Sequence, residues 1–253
     1  MIAFSGDQIF LVTGASSGLG EAIALRLNEL GGTVIANGRD VARLEGCQAK
    51  ARTPARIHLA PRDLTHDMEA LPLWVRELRE QYGKLRGLIC CAGHNKLTPL
   101  RNYDLDKARA LFDIHFHAPI LLAKGFADRR NNIGPGAAVV FIASVLGHVP
   151  DRGVVTYGSA KGALISATRH LSRELALQGL RANCISPGLV RTGMTENYAV
   201  AAIGYDFFSD EEATYPLGLG RASDVADAAA FLLSDGSRWI TGKNFILDGG
   251  KFY

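Results

Sequence analysis

The chain has 253 residues, of which 47% are hydrophobic and 21% charged, with a formal net charge of +3. Those proportions match folded globular proteins and exclude a disordered or fibrous chain, and the length suits one large α/β domain spanning residues 1–253. The surplus positive charge is thinly spread; its densest clusters, Arg129-Arg130 and Arg76/Arg79, fall on expected helix surfaces without interleaved aromatics, so no nucleic-acid partner is expected.

No apolar run reaches membrane-spanning length, and Met1 to Gly14 lacks the charged start, apolar stretch and small-residue cleavage site of a secretory leader. A cytoplasmic protein with no membrane partner is the expectation. The cysteines Cys47, Cys90, Cys91 and Cys184 have no zinc-ligand spacing and read as buried thiols of a reducing compartment, and no metal site is expected.

In chain order, short apolar or β-branched runs predict strands at Gln8 to Thr13, Thr33 to Ala36, Arg56 to Ala60, Leu85 to Cys91, Ala137 to Ala143, Leu180 to Ser186 and Lys243 to Leu247. Between them, helical spacing predicts helices at Leu19 to Leu30, Val41 to Ala51, Met68 to Tyr82, Leu105 to Arg130, Thr156 to Gln178 and Asp224 to Leu233. Right-handed crossovers between parallel strands must cover both sides of the sheet, so the pattern predicts an α/β, doubly wound, Rossmann-like fold with about seven strands. The segment 189–220, rich in Gly, Tyr and Phe after a strand end, is the expected substrate loop.

The first strand runs into Thr13-Gly14-Ala15-Ser16-Ser17-Gly18-Leu19-Gly20 and then into a helix. Gly14 suits a tight turn, Gly18 a close approach to a pyrophosphate and Gly20 close packing of helix on strand, while the helix start offers free N–H groups to an anion. Near the start of a later helix, Tyr157 and Lys161 stand four residues apart and so share a face. An adjacent ammonium favours the phenolate of a tyrosine, which is what proton exchange with a carbonyl or alcohol oxygen needs. Ser144, at the end of the fifth strand, is the candidate hydrogen-bond donor to the same oxygen.

The Gly-x-x-x-Gly-x-Gly spacing, the thirteen residues from Ser144 to Tyr157, and Tyr157-x-x-x-Lys161 together resemble the short-chain dehydrogenase/reductase family, and the Asp248-Gly249-Gly250 ending and overall length resemble its 3-oxoacyl-[acyl-carrier-protein] reductase-like branch. The resemblance extends over nearly the whole chain through Asp63, Ala92-Gly93, Pro187-Gly188 with Thr192, and Asp248-Gly249-Gly250. It implies hydride transfer between a nicotinamide cofactor and a carbonyl or secondary alcohol, with Tyr157 as proton donor and acceptor, Ser144 orienting the carbonyl, and Lys161 holding the ribose. It implies cofactor contacts from Gly14, Ser16, Ser17, Gly18, Leu19, Gly20, Asn37, Arg39, Asp63, Leu64, Ala92, Gly93, Tyr157, Lys161, Pro187, Gly188, Val190 and Thr192, and assembly as a homotetramer or homodimer.

Neutral Asn37 at the end of the second strand, followed by Arg39, favours NADP(H), with NAD(H) as second choice, since no carboxylate there repels a 2′-phosphate. Two positions depart from the family pattern: Cys90-Cys91 replace a pair of Asn, and His115 stands at the family's fourth catalytic position, also an Asn. Pro119 lacks an N–H, and its helical acceptor would be residue 115, so the His115 carbonyl is expected to be free for the water relay that this position serves in the family. His94 and His148 fall near the expected rim. These departures keep open a cofactor-binding regulator or scaffold without turnover; a nucleotide-sugar dehydratase or epimerase is a further alternative. In the loop, Tyr198, Tyr205, Phe207, Phe208 and Tyr215 suit either an apolar substrate or stapling of the loop to its own domain.

Overall fold

Each apolar run bounded by turn residues becomes a strand in the computed structural model, which describes residues 2–95, 97–193, 195 and 207–252. The strands are β1 (Ile9–Thr13), β2 (Thr33–Gly38), β3 (Ile57–Pro61), β4 (Leu85–Cys90), β5 (Ala138–Ile142), β6 (Arg181–Pro187) and β7 (Asn244–Leu247). They form one seven-stranded parallel sheet in the order β3-β2-β1-β4-β5-β6-β7. The helices are α1 (Gly18–Glu29), α2 (Val41–Lys50), α3 (Leu71–Tyr82), α4 (Leu105–Phe112), α5 (Ala118–Ala127), α6 (Val155–Ala176), α7 (Phe207–Glu212) and α8 (Ala222–Leu233).

Alternation along the strands builds two cores. Leu11, Ile35, Leu88 and Phe141 face α3, α5 and α6, whereas Phe10, Val12, Val34 and Val140 face α1, α2 and α8. Both faces are covered, as the doubly wound reading requires. After β3 the chain crosses back to lay β4 against β1, and the crevice at the carboxyl ends of these two strands is where such sheets take ligands.

Two expectations need correction. The single long helix predicted from Leu105 to Arg130 is divided: α4 and α5 are joined by a wide π turn over Asp113–His117, and α5 ends at Ala127. Pro119 supplies the reason, because it has no N–H to continue the α-helical ladder. The loop 189–220 also contains the short α7, at a place where no element was expected.

Candidate active site at the carboxyl edge of the sheet

The turn after β1 is built on close approach. A side chain at Gly14, whose φ is +71°, would lie 2.8 Å from the Ala92 backbone, and one at Gly20 would lie 2.2 Å from the Gly14 carbonyl. Only hydrogen fits at either point, so β1, α1 and the end of β4 are drawn together. Thr13, which sequence reasoning passed over, ties the same junction: its Oγ1 donates to Ile89 O at 3.2 Å and accepts from Cys91 N at 3.0 Å and Ala92 N at 3.2 Å. Its signal was a hydroxyl at the last strand position before the glycine turn. Ser17 holds the N-cap position of α1 without a side-chain cap, which leaves the helix start open to an anion. Thr192 Cβ lies 3.7 Å from the Cβ position of Gly18, so the loop after β6 closes over this turn.

At the tip of β2 the side chains are arranged differently from expectation. Asn37 is 1% exposed, and its Nδ2 donates inward to Ala60 O at 2.9 Å and Arg62 O at 3.2 Å. Gly38 is the residue that faces the glycine turn, since a Cβ there would meet the Ser16 side chain at 3.0 Å. Arg39 is largely exposed and lies 3.6 Å from the Asp63 carboxylate. Hydrogen bonds from the Thr65 backbone and hydroxyl, with Arg39 adding attraction, hold the Asp63 carboxyl below its ordinary range. Asp40, the next carboxylate, caps α2 through Arg43 N. Leu64 is buried beside Asp63.

Ser144 leaves β5 in an extended conformation and accepts from Leu146 N at 3.2 Å, closing a single tight turn. That turn sits against small residues of α6: a side chain at Gly158 would lie 2.7 Å from Leu146 O, and one at Gly147 would lie 3.0 Å from Gly162 N. Gly158 and Gly162, four apart, thus bring Ser144 up to the helix face that carries Tyr157 and Lys161. Lys161 is 5% exposed and donates to Ile142 O at 2.7 Å. Burial pushes its ammonium down to about 8. Its Nζ lies 5.7 Å from the centre of the half-buried Tyr157 ring.

The family model described as enoyl-(acyl carrier protein) reductase matches residues 14–251. The chain belongs to the short-chain dehydrogenase/reductase family. It is therefore an oxidoreductase of a family that binds a nicotinamide cofactor and acts on carbonyl and hydroxyl carbons. It is 31% identical to the 3-oxoacyl-[acyl-carrier-protein] reductase FabG of Rickettsia bellii, over 99% of this chain and 98% of that protein. It is 29% identical to the (3R)-3-hydroxyacyl-CoA dehydrogenase of Homo sapiens, over 97% and 96% of the two chains. A short-chain dehydrogenase from Burkholderia cenocepacia, solved with NADP, superposes with a TM-score of 0.85 at 29% identity, covering 98% of this chain and 99% of that one.

Within this dehydrogenase/reductase site the departures from the family pattern become concrete. His115 lies in the π turn, is 2% exposed, and its Nε2 is 2.6 Å from the His94 carbonyl. Its ring meets Tyr157 edge-on, centroids 5.1 Å apart, and fills the space that a side chain at Gly93 would need, 2.1 Å from His115 Cε1. Burial, then the Lys161 charge, holds the imidazole well below its ordinary value, so it is neutral. His117, two residues on, is exposed. The π turn alters the carbonyl argument: Ala118 N bonds to Asp113 O, five residues back, so the partner that Pro119 fails to supply in this register is that of Ile114 as well as the α-helical one of His115. Cys90 is buried and Cys91 partly so, and Cys91 contributes its backbone N–H to the Thr13 tie.

On the opposite side of the crevice, Pro187 ends β6 and Gly188 packs against Asp248 and Tyr215. Val190 is bridged to Gly220, and the Tyr215 hydroxyl accepts from Leu189 N at 2.9 Å. Tyr215 therefore staples the loop after β6 to its own domain. Arg191 lies over the Phe208 ring and pairs with Glu212. Tyr198 and Tyr205 fall outside the described residues. His148 reaches Asn244 of β7, whose Oδ1 accepts from Cys184 and Ser186.

Proposed function

We propose that this enzyme is an NADP(H)-preferring carbonyl reductase in which Tyr157 exchanges the proton, Ser144 orients the carbonyl and Lys161 keeps the tyrosine acidic. The observation that carries this reading is the buried ammonium of Lys161, pinned by Ile142 O and lying against Tyr157 on the same helix face. A positive charge maintained in an apolar place beside a phenol stabilises the phenolate and makes Tyr157 competent to give and take a proton near neutral pH. The Ser144 hydroxyl, already accepting from Leu146 N, has its own proton left to donate to a substrate oxygen.

The glycine turn and the open start of α1 fit a pyrophosphate, and the nicotinamide cofactor, when bound, supplies or accepts the hydride. Gly14, Ser16, Ser17, Gly18, Leu19 and Gly20 would hold the phosphates and adjoining ribose. Asp63 and Leu64 would receive the adenine, and Ala92, Gly93, Pro187, Gly188, Val190 and Thr192 would flank the nicotinamide side. At the adenosine ribose the recognising residues are Gly38 and Arg39 rather than Asn37, whose amide is spent inside the protein. Preference for the 2′-phosphate rests on the exposed Arg39 fork and on Asp40 being engaged in capping α2.

The substrate is a ketone or secondary alcohol of the kind named in the relatives, with a 3-oxoacyl thioester as the first choice. Association through exposed Leu100, Leu105 and Val155 near α4 and α6 is proposed to give a homodimer or homotetramer. Titration with NADPH and NADH, followed by a panel containing acetoacetyl-CoA and simple ketones, tests the reading. Substrate-dependent NADPH oxidation that falls about 10³-fold in Tyr157→Phe with cofactor binding retained is the expected result. Tight cofactor binding without turnover across the panel would favour the regulator.

A further inference from the structure

Consecutive carboxylates on α7 are drawn to different partners. Glu212 pairs with Arg191 of the loop after β6 at 3.2 Å, and Glu211 pairs with Lys251, beyond β7, at 2.5 Å. The first pair is about half exposed and contributes little, whereas the side chains of Lys251 and Glu211 are only 18% and 27% exposed. The Lys251 ammonium also lies 4.5 Å from the centre of the Tyr215 ring and 5.2 Å from that of Phe252, within the range where a ring attracts a cation. A cation with one carboxylate and two rings around it is held more firmly than a lone surface pair.

The turn after β7 is shaped to present that lysine. Gly249 and Gly250 take φ of +59° and +81°, the left-handed region that favours glycine. The buried Asp248 carboxylate accepts from Gly250 N at 3.1 Å and Phe252 N at 2.9 Å. Leu217 N donates to Gly249 O at 3.2 Å, which lays the turn along the far end of the loop after β6. Tyr215, 6% exposed, stands between the two segments: its ring meets Lys251, and its hydroxyl accepts from Leu189 N. A side chain at Gly188 would lie 3.1 Å from Asp248 Cα and 3.2 Å from Tyr215 Cε1, so the backbone just after β6 is wedged between the same two residues.

We propose that Lys251 is a positioning residue for the nicotinamide side of the crevice: by holding Glu211 and Tyr215 together, it fastens the turn after β7 to the loop after β6 and so fixes the backbone of Gly188 and Leu189. This rests on the reading that Pro187 to Val190 flank the nicotinamide, but the first test needs no cofactor. Amide exchange in the unliganded protein reads the Leu189 N–H, whose acceptor is the Tyr215 hydroxyl. In Lys251→Met that amide should exchange about tenfold faster while the amide of Val140, in the buried β5, keeps its rate, and Lys251→Arg should restore Leu189 protection. Glu211→Gln leaves Lys251 in place and should give a smaller acceleration in the same direction. An unchanged Leu189 rate in the folded variants overturns the proposal, and so does equal acceleration of Val140, which reports a general loss of stability.

Cofactor binding supplies the second arm. Lys251→Met should raise the Kd of NADPH and of NADH by the same factor, about fivefold, because the backbone it fixes faces the nicotinamide and not the 2′-phosphate. A rise confined to NADPH overturns the assignment to the nicotinamide side, and faster Leu189 exchange with unchanged affinity for both cofactors overturns the positioning role. The expected exchange and affinity changes in a protein that turns over no carbonyl substrate would support the positioning role and count against the reductase reading instead.

Discussion

Lys161 carries a positive charge among neutral thiols, and the fold bears the cost of that burial. Its pKa in the fold, about 8, lies below the ordinary lysine value of 10.5. Below pH 8 both folded and unfolded chains hold the proton and the full penalty applies; between about 8 and 10.5 the folded chain releases it first, so stability rises with pH. Lys161→Met should therefore raise the unfolding temperature of the unliganded enzyme at pH 6.5, by about 2 kcal/mol of stability, with the advantage shrinking as pH approaches 10. Thermal unfolding at the two ends of that range checks it, and a destabilised variant at pH 6.5 would refute it. Gly93 gives a second residue-scale test. Gly93→Ala should cost roughly 1–3 kcal/mol by colliding with His115, and His115→Ala in the same chain should recover much of it in a double-mutant unfolding cycle. Tyr157 and Lys161 were legible as neighbours because a spacing of four puts both on one helix face, and Ser144 because it stands where the apolar run of β5 ends. The direction of Asn37 was not, because which side of a strand tip faces a neighbouring strand depends on β3, which sequence spacing does not place.

Two elements hold these residues by what they lack. The π turn at Asp113–His117 forms where Pro119 cannot donate, and it carries His115 inward instead of along a continuous helix. The start of α6 offers Gly158 and Gly162 to the Ser144 turn, a contact legible only once the two segments are seen to touch. At the opposite end of the sheet, β4 and β6 bury Arg86 and Arg181 under the carboxyl end of α8. Arg181 bonds the Leu232 and Ser234 carbonyls and Arg86 that of Leu233, so both cations meet the negative end of the helix. Burial, then the neighbouring Arg86, pushes Arg181 down to about 10, and Asp235 is the carboxylate that pairs with Arg86, at 2.6 Å. Asp235→Asn should lower stability by about 1–2 kcal/mol, discounted because that carboxylate is largely exposed. Adding Arg86→Met should return part of the loss, by thermal unfolding; equal losses in the single and double variants would refute the charge argument.

At the scale of the molecule, the crevice between β1 and β4 is flanked by segments distant in sequence: the glycine turn, Ala92-Gly93, the Ser144 turn, and the loop after β6 that Tyr215 and Gly220 fasten down. A cofactor bridging them stabilises only the folded chain. NADPH at about 100 times its Kd should add about 2.7 kcal/mol and raise the unfolding temperature by about 5–10 °C, with a smaller rise from NADH at equal concentration. Equal shifts from both cofactors would remove the Arg39 preference. The amino-acid sequence by itself determined the sheet, the order of helices and strands and the family, because period, glycine placement and Ser-Tyr-Lys spacing are local properties carried by neighbouring residues. Tertiary structure alone decided that Asn37 turns inward, that the long helix opens into a π turn, and that His115 enters the gap at Gly93 beside Lys161. Each of those outcomes depends on which backbone comes within a few ångströms of another, and that is settled by packing between segments far apart in the chain.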